Sequence, residues 1–309
     1  MKTKHSILQV GFFPEAMNSE VNQRFNSTYI INAEKHLPHH EFEILLTTGT
    51  TVLTTDFLDS LPHLKMVSSC AVGYDNLPLS YFKSRKIVAT HTPSVLNQAV
   101  CELTMGILFG MLRRLPQANQ FAKSGQWSSG GFPLGTSLAG KTVGIVGMGR
   151  IAQDLSKCLL PLGVKLAYTT PNKKELPYTY HNNITSLAHA ADILIMMCPG
   201  GPVTEKIANL EVFEALGPQG YFINVARGSV VNEIDLIEAL KNKVISAAAL
   251  DVYPKEPSIN PDLFDIDNLY LTPHLGSSTF ETKQAMIALS LNNIDAFIHQ
   301  TPLITPILF

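Results

Sequence analysis

Val143-Gly-Ile-Val-Gly-Met-Gly-Arg-Ile-Ala152 is the stretch of this 309-residue chain that decides its fold. An apolar run ends in Gly147, Gly149 and Ala152 at the spacing GxGxxA, and a helical pattern follows over residues 151–160. The first glycine permits a tight turn, the second lets the backbone approach a ligand, and the alanine keeps the helix close to the strand. The spacing predicts a strand–turn–helix unit whose helix N-terminus binds a pyrophosphate. A glycine-rich turn without a ligand is the alternative.

The rest of the chain alternates apolar runs with helical patterns, which is typical of an α/β fold. Buried strands are predicted at 7–10, 42–47, 65–69, 87–89, 142–146, 164–168, 192–197, 221–225, 245–250 and 269–271. Helices are predicted over 21–35, 56–61, 95–115 and 280–299, and a loop rich in Gly and Ser over 124–135. Long apolar runs without alternation fit parallel strands covered on both faces. We therefore expect two parallel sheets, with the last helix returning to the first domain.

Composition and charge exclude several classes of protein. Hydrophobic residues make up 45% of the chain and charged residues 16%, which fits a folded protein. The net charge of −2 provides no electrostatic attraction for nucleic acid or an anionic membrane. The four cysteines are scattered, which argues against a zinc site or a disulfide framework. The apolar stretch at 7–10 is too short for a signal sequence, so we expect a cytoplasmic protein without a membrane partner.

Three polar residues each follow a predicted strand of the second sheet. Arg227 comes after the strand at 221–225, Glu256 after the strand at 245–250 and His274 after the strand at 269–271. Ligands of open α/β sheets bind outside the carboxyl ends of the strands. We therefore expect the three side chains to converge on one crevice.

Reduction of a 2-oxo acid uses such a set. It needs a hydride at the carbonyl carbon and a proton at the oxygen, and histidine suits the proton step because its unperturbed pKa is about 6.5. Glu256 is expected to stabilise the imidazolium of His274 and to fix the ring. Arg227 offers a planar fork of donors that grips a carboxylate and polarises the carbonyl.

Each of these residues also has a structural interpretation when taken alone. Of the ten histidines, we single out His274 because it follows a predicted strand and is flanked by Pro273 and Gly276. His36, His39 and His40 are interpreted as a solvated surface cluster.

The segment after the second strand of the dinucleotide unit bears on the choice of cofactor. An NAD-selective site places Asp or Glu there to bind the ribose 2′-hydroxyl. This chain has Tyr168-Thr-Thr-Pro-Asn-Lys-Lys174 instead, without an acid. Hydroxyl, amide and lysine groups, with Thr169, Thr170, Asn172 and Lys173 among them, suit a 2′-phosphate. The sequence therefore favours NADP(H), with NAD(H) still possible, while a solvated loop that binds nothing is the alternative.

At these residues the chain resembles the D-isomer-specific 2-hydroxyacid dehydrogenase family, particularly its hydroxypyruvate and glyoxylate reductases. The resemblance covers nearly the whole chain. It rests on five ordered blocks, at residues 69–76, 140–152, 224–232, 249–257 and 272–276. Thr169 stands where many NAD-using members have Asp, which agrees with the preference for NADP(H).

The resemblance implies roles for particular residues. It assigns catalysis to Arg227, Glu256 and His274, and it makes Ala71, Val72 and Gly73 a loop whose backbone N–H groups bind the substrate carboxylate with help from Arg227 and His274. Asp251 is implied to lie near the nicotinamide. The full cofactor set expected is Thr104, Gly147, Met148, Gly149, Arg150, Ile151, Thr169, Thr170, Asn172, Lys173, Cys198, Pro199, Thr204, Val225, Ala226, Arg227, Asp251, His274 and Gly276.

The resemblance also implies an architecture and an assembly. Two Rossmann-like domains with doubly wound parallel sheets are expected to close on a cleft. Residues 1–98 with 280–309 form the substrate-binding domain, and residues 99–279 form the dinucleotide-binding domain. The family implies a homodimer. The apolar tail at 305–309 is expected to dock on the body or on the partner subunit, and Cys70 is interpreted as a small buried filler.

Two other functions share these motifs. Corepressor proteins that resemble the family use the bound cofactor as a signal and act as binding platforms, but this chain lacks their long low-complexity extensions. Related dehydrogenases act on phosphite or formate. We expect an oxidoreductase that converts a small 2-oxo acid, hydroxypyruvate or glyoxylate, into a D-2-hydroxy acid.

Overall fold

The structure is a computed structural model that describes residues 5–33 and 42–309. The chain divides into two compact units, Met1–Leu96 with Ser278–Phe309 and Asn97–Ser277. Each unit is built on a parallel β-sheet with helices, which confirms the predicted α/β class. Among the described residues, no helix has both the length and the apolar character needed to cross a membrane. The histidine cluster at 36–40 lies outside the described residues.

The first unit contains a five-stranded parallel sheet in the order β2-β1-β3-β4-β5. Aliphatic side chains such as Leu8, Leu45 and Val67 are fully buried in its core. The strands are β1 Ser6–Val10, β2 Asn26–Ile30, β3 Ile44–Thr48, β4 Met66–Cys70 and β5 Val88–Thr90. The helices are α1 Glu15–Arg24, α2 Thr55–Asp59, α3 Leu79–Arg85 and α10 Phe280–Ile298.

The helix predicted over 21–35 is wrong in its position. The helix α1 begins just after Pro14 and ends at Arg24, and β2 follows directly; residues 34 and 35 lie outside the described part of the chain. β2 is a half-exposed edge strand with the polar sequence Asn-Ser-Thr-Tyr-Ile, so it has no apolar run to reveal it. It is fixed by ladder pairing with β1 and by a 2.8 Å hydrogen bond from Nε2 of Gln9 to Oγ of Ser27.

The second unit contains a seven-stranded parallel sheet in the order β12-β11-β10-β9-β6-β7-β8. The strands are β6 Thr142–Val146, β7 Lys165–Thr169, β8 Thr179–His181, β9 Ile193–Met196, β10 Tyr221–Asn224, β11 Ala247–Leu250 and β12 Leu269–Leu271. The helices are α4 Asn97–Leu112, α5 Leu115–Lys123, α6 Arg150–Leu159, α7 Ile184–Ala190, α8 Leu210–Leu216 and α9 Glu233–Lys241. The strand order reverses at β6, next to β9, which is where ligands of such sheets bind.

The strand positions predicted in this unit are confirmed to within two residues at each end, but β12 is half-buried rather than buried. The sequence missed β8, a three-residue edge strand without a fully buried side chain. The helix predicted over 95–115 corresponds to α4, while α5 was not predicted; Arg114, which is left-handed with φ 52°, separates the two helices. A short 3-10 turn, Gln126–Ser128, lies inside the segment predicted as a loop.

The C-terminal tail docks on the first unit. The backbone N–H of Ile307 donates to the carbonyl of Ala89 over 2.8 Å, and Pro306 forms an antiparallel bridge with Thr90. The side chain of Ile307 is buried in the core of the same unit. Contact with the edge strand β5 thus explains the apolar character of Ile307, whereas Leu308 is 89% exposed.

Cys70 lies at the end of β4 and is 6% exposed. Burial raises the pKa of its thiol to about 11, against weaker opposing effects of Ser290 and Lys283. An unionised thiol in this position acts as a small apolar group.

Candidate active site

The three residues predicted as catalytic lie on loops that follow adjacent strands. β10, β11 and β12 are neighbours in the sheet, and Arg227, Glu256 and His274 come after their carboxyl ends in that order. The geometry brings Glu256 and His274 into direct contact and places Arg227 close enough to act on the Glu256 charge.

Glu256 and His274 form the central pair of the site. Nδ1 of His274 lies 2.6 Å from Oε2 of Glu256, while the backbone N–H of Tyr253 donates to Oε1 over 2.9 Å. Burial alone raises the pKa of Glu256, but the bonds from His274 and Tyr253 and the charges of His274 and Arg227 outweigh it, so the pKa is lowered. The Glu256 carboxylate can therefore stabilise an imidazolium at His274.

Asp251 fixes the turn that carries His274. Its carboxylate is 1% exposed and accepts hydrogen bonds from the hydroxyl of Thr272 and the backbone N–H groups of Leu275 and Gly276. His274 adopts the left-handed conformation with φ 53°, which non-glycine residues rarely do. Burial raises the pKa of Asp251 more than these bonds and the charge of His274 lower it.

Asn224 fixes the segment that carries Arg227. This fully buried amide ends β10, donates to the carbonyl of Arg227 over 2.9 Å and accepts from the N–H of Ala226 over 3.0 Å. Nη1 of the half-buried Arg227 donates to the carbonyl of Ala226 over 2.7 Å. Sequence reasoning did not select Asn224, although a polar residue at the end of a buried strand is a signal for such a role.

The glycine-rich loop has the geometry that its spacing predicts. Gly147 has φ +92°, and a Cβ there would lie 2.7 Å from the backbone of Cys198, so only glycine fits. Gly149 is the N-cap of α6, and no atom lies within 4 Å of the position of an added Cβ. Ala152 is buried against the sheet. The open space and the uncapped helix N-terminus leave room for a phosphate group.

The segment after β7 lies beside this loop. The carbonyl of Thr169 accepts from the N–H of Gly147 over 2.9 Å, and Nζ of Lys174 donates to the carbonyl of Met148 over 2.7 Å. Thr170 Oγ1 donates to the carbonyl of Asn172 over 2.7 Å. Lys174 thus lies against the glycine-rich loop. The sequence did not predict it as a cofactor residue, since nothing in the sequence indicates in which direction its side chain points.

The remaining residues of the expected cofactor set lie in the same unit and differ in exposure. Met148 is buried in the core, which leaves its backbone for a ligand, and Cys198 is buried, with its pKa raised to about 11 by burial. Thr104 Oγ1 donates to the carbonyl of Val100, and Thr204 Oγ1 to that of Pro199. Arg150, Asn172, Lys173 and Pro199 are exposed, Ile151 and Val225 are half-buried, and Ala226 and Gly276 are buried.

The expected substrate loop lies in the other unit, directly after β4. The carbonyl of Ala71 accepts from the N–H of Thr92 over 2.7 Å, and the carbonyl of Val72 accepts from Nδ1 of His91 over 2.9 Å. The ring of Tyr74 packs edge-on against His91, with 5.1 Å between centroids. These contacts anchor the loop that also contains Gly73.

A dinucleotide loop and an Arg/Glu/His set at one edge of a parallel sheet define a nicotinamide-dependent dehydrogenase. Comparison with known proteins agrees. Residues 105–276 match the family profile described as D-isomer specific 2-hydroxyacid dehydrogenase, NAD binding domain. The chain belongs to this family, and it is an NAD(P)-dependent oxidoreductase of 2-oxo acids, as the sequence predicted.

Individual relatives extend over most of the chain. It is 36% identical to glyoxylate/hydroxypyruvate reductase A of Arabidopsis thaliana, over 94% of this chain and 95% of that protein. It is 38% identical to hydroxyphenylpyruvate reductase of Plectranthus scutellarioides, over 82% of this chain and 81% of that protein. Among solved structures it resembles NADPH-dependent glyoxylate/hydroxypyruvate reductase of Sinorhizobium meliloti in complex with NADP and malonate, with a TM-score of 0.93, 36% identity and coverage of 99% and 97%. These names favour an enzyme over a corepressor.

Proposed function

We propose that this protein is an NADPH-preferring reductase that converts hydroxypyruvate or glyoxylate into the corresponding 2-hydroxy acid. The observation that carries the proposal is the 2.6 Å contact between His274 and Glu256 beside Arg227, in the same unit as the glycine-rich loop. Relatives that share most of the chain's length are named as reductases of these acids.

The residues divide the chemistry among them. Bound NADPH supplies the hydride. His274 holds the proton for the carbonyl oxygen: Glu256 takes Nδ1, so the proton passes through Nε2. Glu256 stabilises the imidazolium before transfer, and Arg227 grips the substrate carboxylate and polarises the carbonyl.

The two units have separate roles in this proposal. Residues 99–279 form the dinucleotide-binding domain, and residues 1–98 with 280–309 form the substrate-binding domain. Backbone N–H groups of Ala71, Val72 and Gly73 bind the substrate carboxylate, because successive amides can point at one anion. His91 and Thr92 support this assignment by holding two carbonyls of the loop.

Cofactor preference follows from charge at the end of β7. No carboxylate occupies the segment 169–174, so the acid that would bind a ribose 2′-hydroxyl and repel a 2′-phosphate is missing from the end of β7. The ammonium group of Lys174 lies 2.7 Å from the carbonyl of Met148, beside the loop proposed to hold the pyrophosphate. The residues therefore fit NADPH, and the similar Sinorhizobium meliloti enzyme was solved with NADP.

The assembly we propose is a homodimer. The helix α5 has apolar residues on one face but no buried residue. Its first residue, Leu115, is 53% exposed, and Trp127 and Leu134, which follow it in the sequence, are 74% and 96% exposed. A second copy of the chain is the partner that the family implies.

The described cysteines are all free, which fits the reducing cytoplasm that we propose as the location.

A substrate panel tests the proposal. Purified protein should oxidise NADPH with hydroxypyruvate or glyoxylate, and kcat/KM should be higher for NADPH than for NADH. Cofactor binding without turnover on any 2-oxo acid would favour the corepressor function instead. A clear preference for NADH would contradict the cofactor assignment, and a monomer in size-exclusion chromatography with light scattering would contradict the dimer.

A further inference from the structure

We infer that Tyr253 is a positioning residue for the catalytic set, and that its phenol holds the His274 turn in register with Glu256. The inference rests on the proposed roles of Arg227, Glu256 and His274. Tyr253 touches neither substrate nor cofactor in this assignment, and it acts through the residues that do.

The phenol of Tyr253 connects two strand ends. Its side chain is buried, and its hydroxyl lies 2.9 Å from the carbonyl of Thr272 and 3.1 Å from the carbonyl of Leu250. Leu250 ends β11, and Thr272 directly follows β12 two residues before His274. The phenolic hydrogen is shared between both carbonyls. It therefore connects the start of the loop that carries Glu256 to the start of the turn that carries His274.

The backbone N–H of Tyr253 forms a hydrogen bond with Glu256, the partner of His274. This N–H donates to Oε1 of Glu256 over 2.9 Å, while Oε2 of the same carboxylate meets Nδ1 of His274 over 2.6 Å. A single residue therefore orients the carboxylate through its amide and anchors the imidazole turn through its phenol. A movement of the phenol changes both ends of the His–Glu contact together.

The Arg227 segment packs against the same residue. A Cβ added at Gly228 would lie 1.9 Å from the carbonyl carbon of Tyr253 and 2.2 Å from the nitrogen of Pro254, so only glycine allows this approach. The three segments that carry the catalytic set thus meet at Tyr253.

The phenol remains a hydrogen-bond donor across the working pH range. Burial, with a smaller effect of the Asp251 charge, raises the pKa of Tyr253 to about 12. The connection between the strand ends therefore does not titrate in the wild-type protein.

The substitution Tyr253→Phe removes the hydroxyl and keeps the ring. We expect kcat to fall roughly 10-fold, because small misplacement of reacting groups is costly, while the KM for NADPH stays unchanged. The acid limb of the kcat profile should also move to higher pH, since a Glu256 carboxylate that is held less firmly by Tyr253 and His274 loses part of the effect that lowers its pKa. Tyr270→Phe is the matched control: that hydroxyl donates to Oε1 of Gln117 from β12 itself and lies outside the catalytic loops, so kcat and the limb should not change.

A lower melting temperature with unchanged kcat and unchanged limb would overturn the inference, because a purely structural phenol behaves in that way. If Tyr253→Phe does not fold, a fluorinated tyrosine at position 253 replaces it. Its phenol ionises at lower pH, and kcat should fall as the pH rises through that ionisation; a flat profile there contradicts the inference. Absence of any turnover in the wild-type protein would instead refute the proposed function.

Discussion

The carboxylate of Asp251 accepts a hydrogen bond from the backbone N–H of Gly276, with 3.0 Å between Oδ2 and N. Its other oxygen accepts from the N–H of Leu275 over 2.7 Å and from the hydroxyl of Thr272 over 2.6 Å. The carbonyl of Asp251 in turn accepts from the N–H of His274 over 2.9 Å. The left-handed conformation of His274 is thus held by one buried acid on the preceding strand loop.

Asp251→Asn tests this arrangement. An amide has a single acceptor oxygen, and its NH2 group opposes one of the three donors, so a buried donor loses its partner. We expect the free energy of unfolding to fall by about 1–3 kcal/mol and kcat to fall with it. Thermal unfolding and steady-state kinetics measure the two effects, and the exposed Asp265→Asn serves as control. Equal melting temperatures of the two variants would contradict the role of Asp251.

His274→Ala removes the proposed proton donor. We expect kcat to fall by roughly 10²–10⁴-fold, the range typical of a general acid. His181→Ala is a suitable control, because that ring bonds to the hydroxyl of Ser186 in another part of the same unit. Near-normal turnover of His274→Ala with hydroxypyruvate would refute the catalytic role.

Arg227→Ala should weaken the grip on the substrate carboxylate. Hydrogen bonds to charged groups contribute about 1.5–3 kcal/mol, so kcat/KM for the 2-oxo acid should fall roughly 10- to 100-fold. Most of the loss should appear in KM if the interaction is equal in the ground state and the transition state. Arg227→Lys keeps the charge but loses the planar fork, and it should recover only part of the activity. Full recovery would show that charge alone is required.

Lys174→Met should reduce the preference for NADPH. We expect the Lys174 ammonium, which lies beside the glycine-rich loop, to bind the 2′-phosphate as well. Loss of one such charge-assisted contact should lower kcat/KM for NADPH by about 10- to 100-fold and leave that for NADH nearly unchanged. Lys165→Met removes the exposed lysine that begins β7, at the end of the strand away from the segment that carries Lys174, and should change neither value. A parallel loss with both cofactors would mean that Lys174 supports only the glycine-rich loop.

The fold was predictable where burial determines the pattern. The long apolar strands of the second unit and the GxGxxA turn follow from the sequence, since parallel strands covered on both faces are continuously apolar. The edge strands β2 and β8 were not predictable, because pairing along one side stabilises each of them although its sequence contains no apolar run. The break between α4 and α5 depends on one backbone angle at Arg114.

The site was predictable to the level of strand ends. The rule that ligands bind at the carboxyl edge predicted that Glu256 and His274 lie close together, and the two side chains are in contact in the structure. The residues that orient them were not predictable as such. The contacts of Asn224, Tyr253 and Lys174 depend on which way each side chain crosses a loop, and spacing does not contain that direction.

Glu256→Gln tests the pairing with His274 through pH. The bonds from His274 and Tyr253 and nearby positive charges overcome the effect of burial and lower the pKa of Glu256, so its carboxylate is ionised at neutral and alkaline pH. The charge is lost only as the pH falls through this lowered pKa, so activity that depends on the charge should fall on the acid side. A neutral amide cannot carry or lose that charge. Glu256→Gln should therefore lower kcat/KM at neutral pH, and its acid limb should be flatter than that of the wild-type protein. An acid limb of unchanged steepness, measured with hydroxypyruvate at saturating NADPH, would separate the two residues functionally.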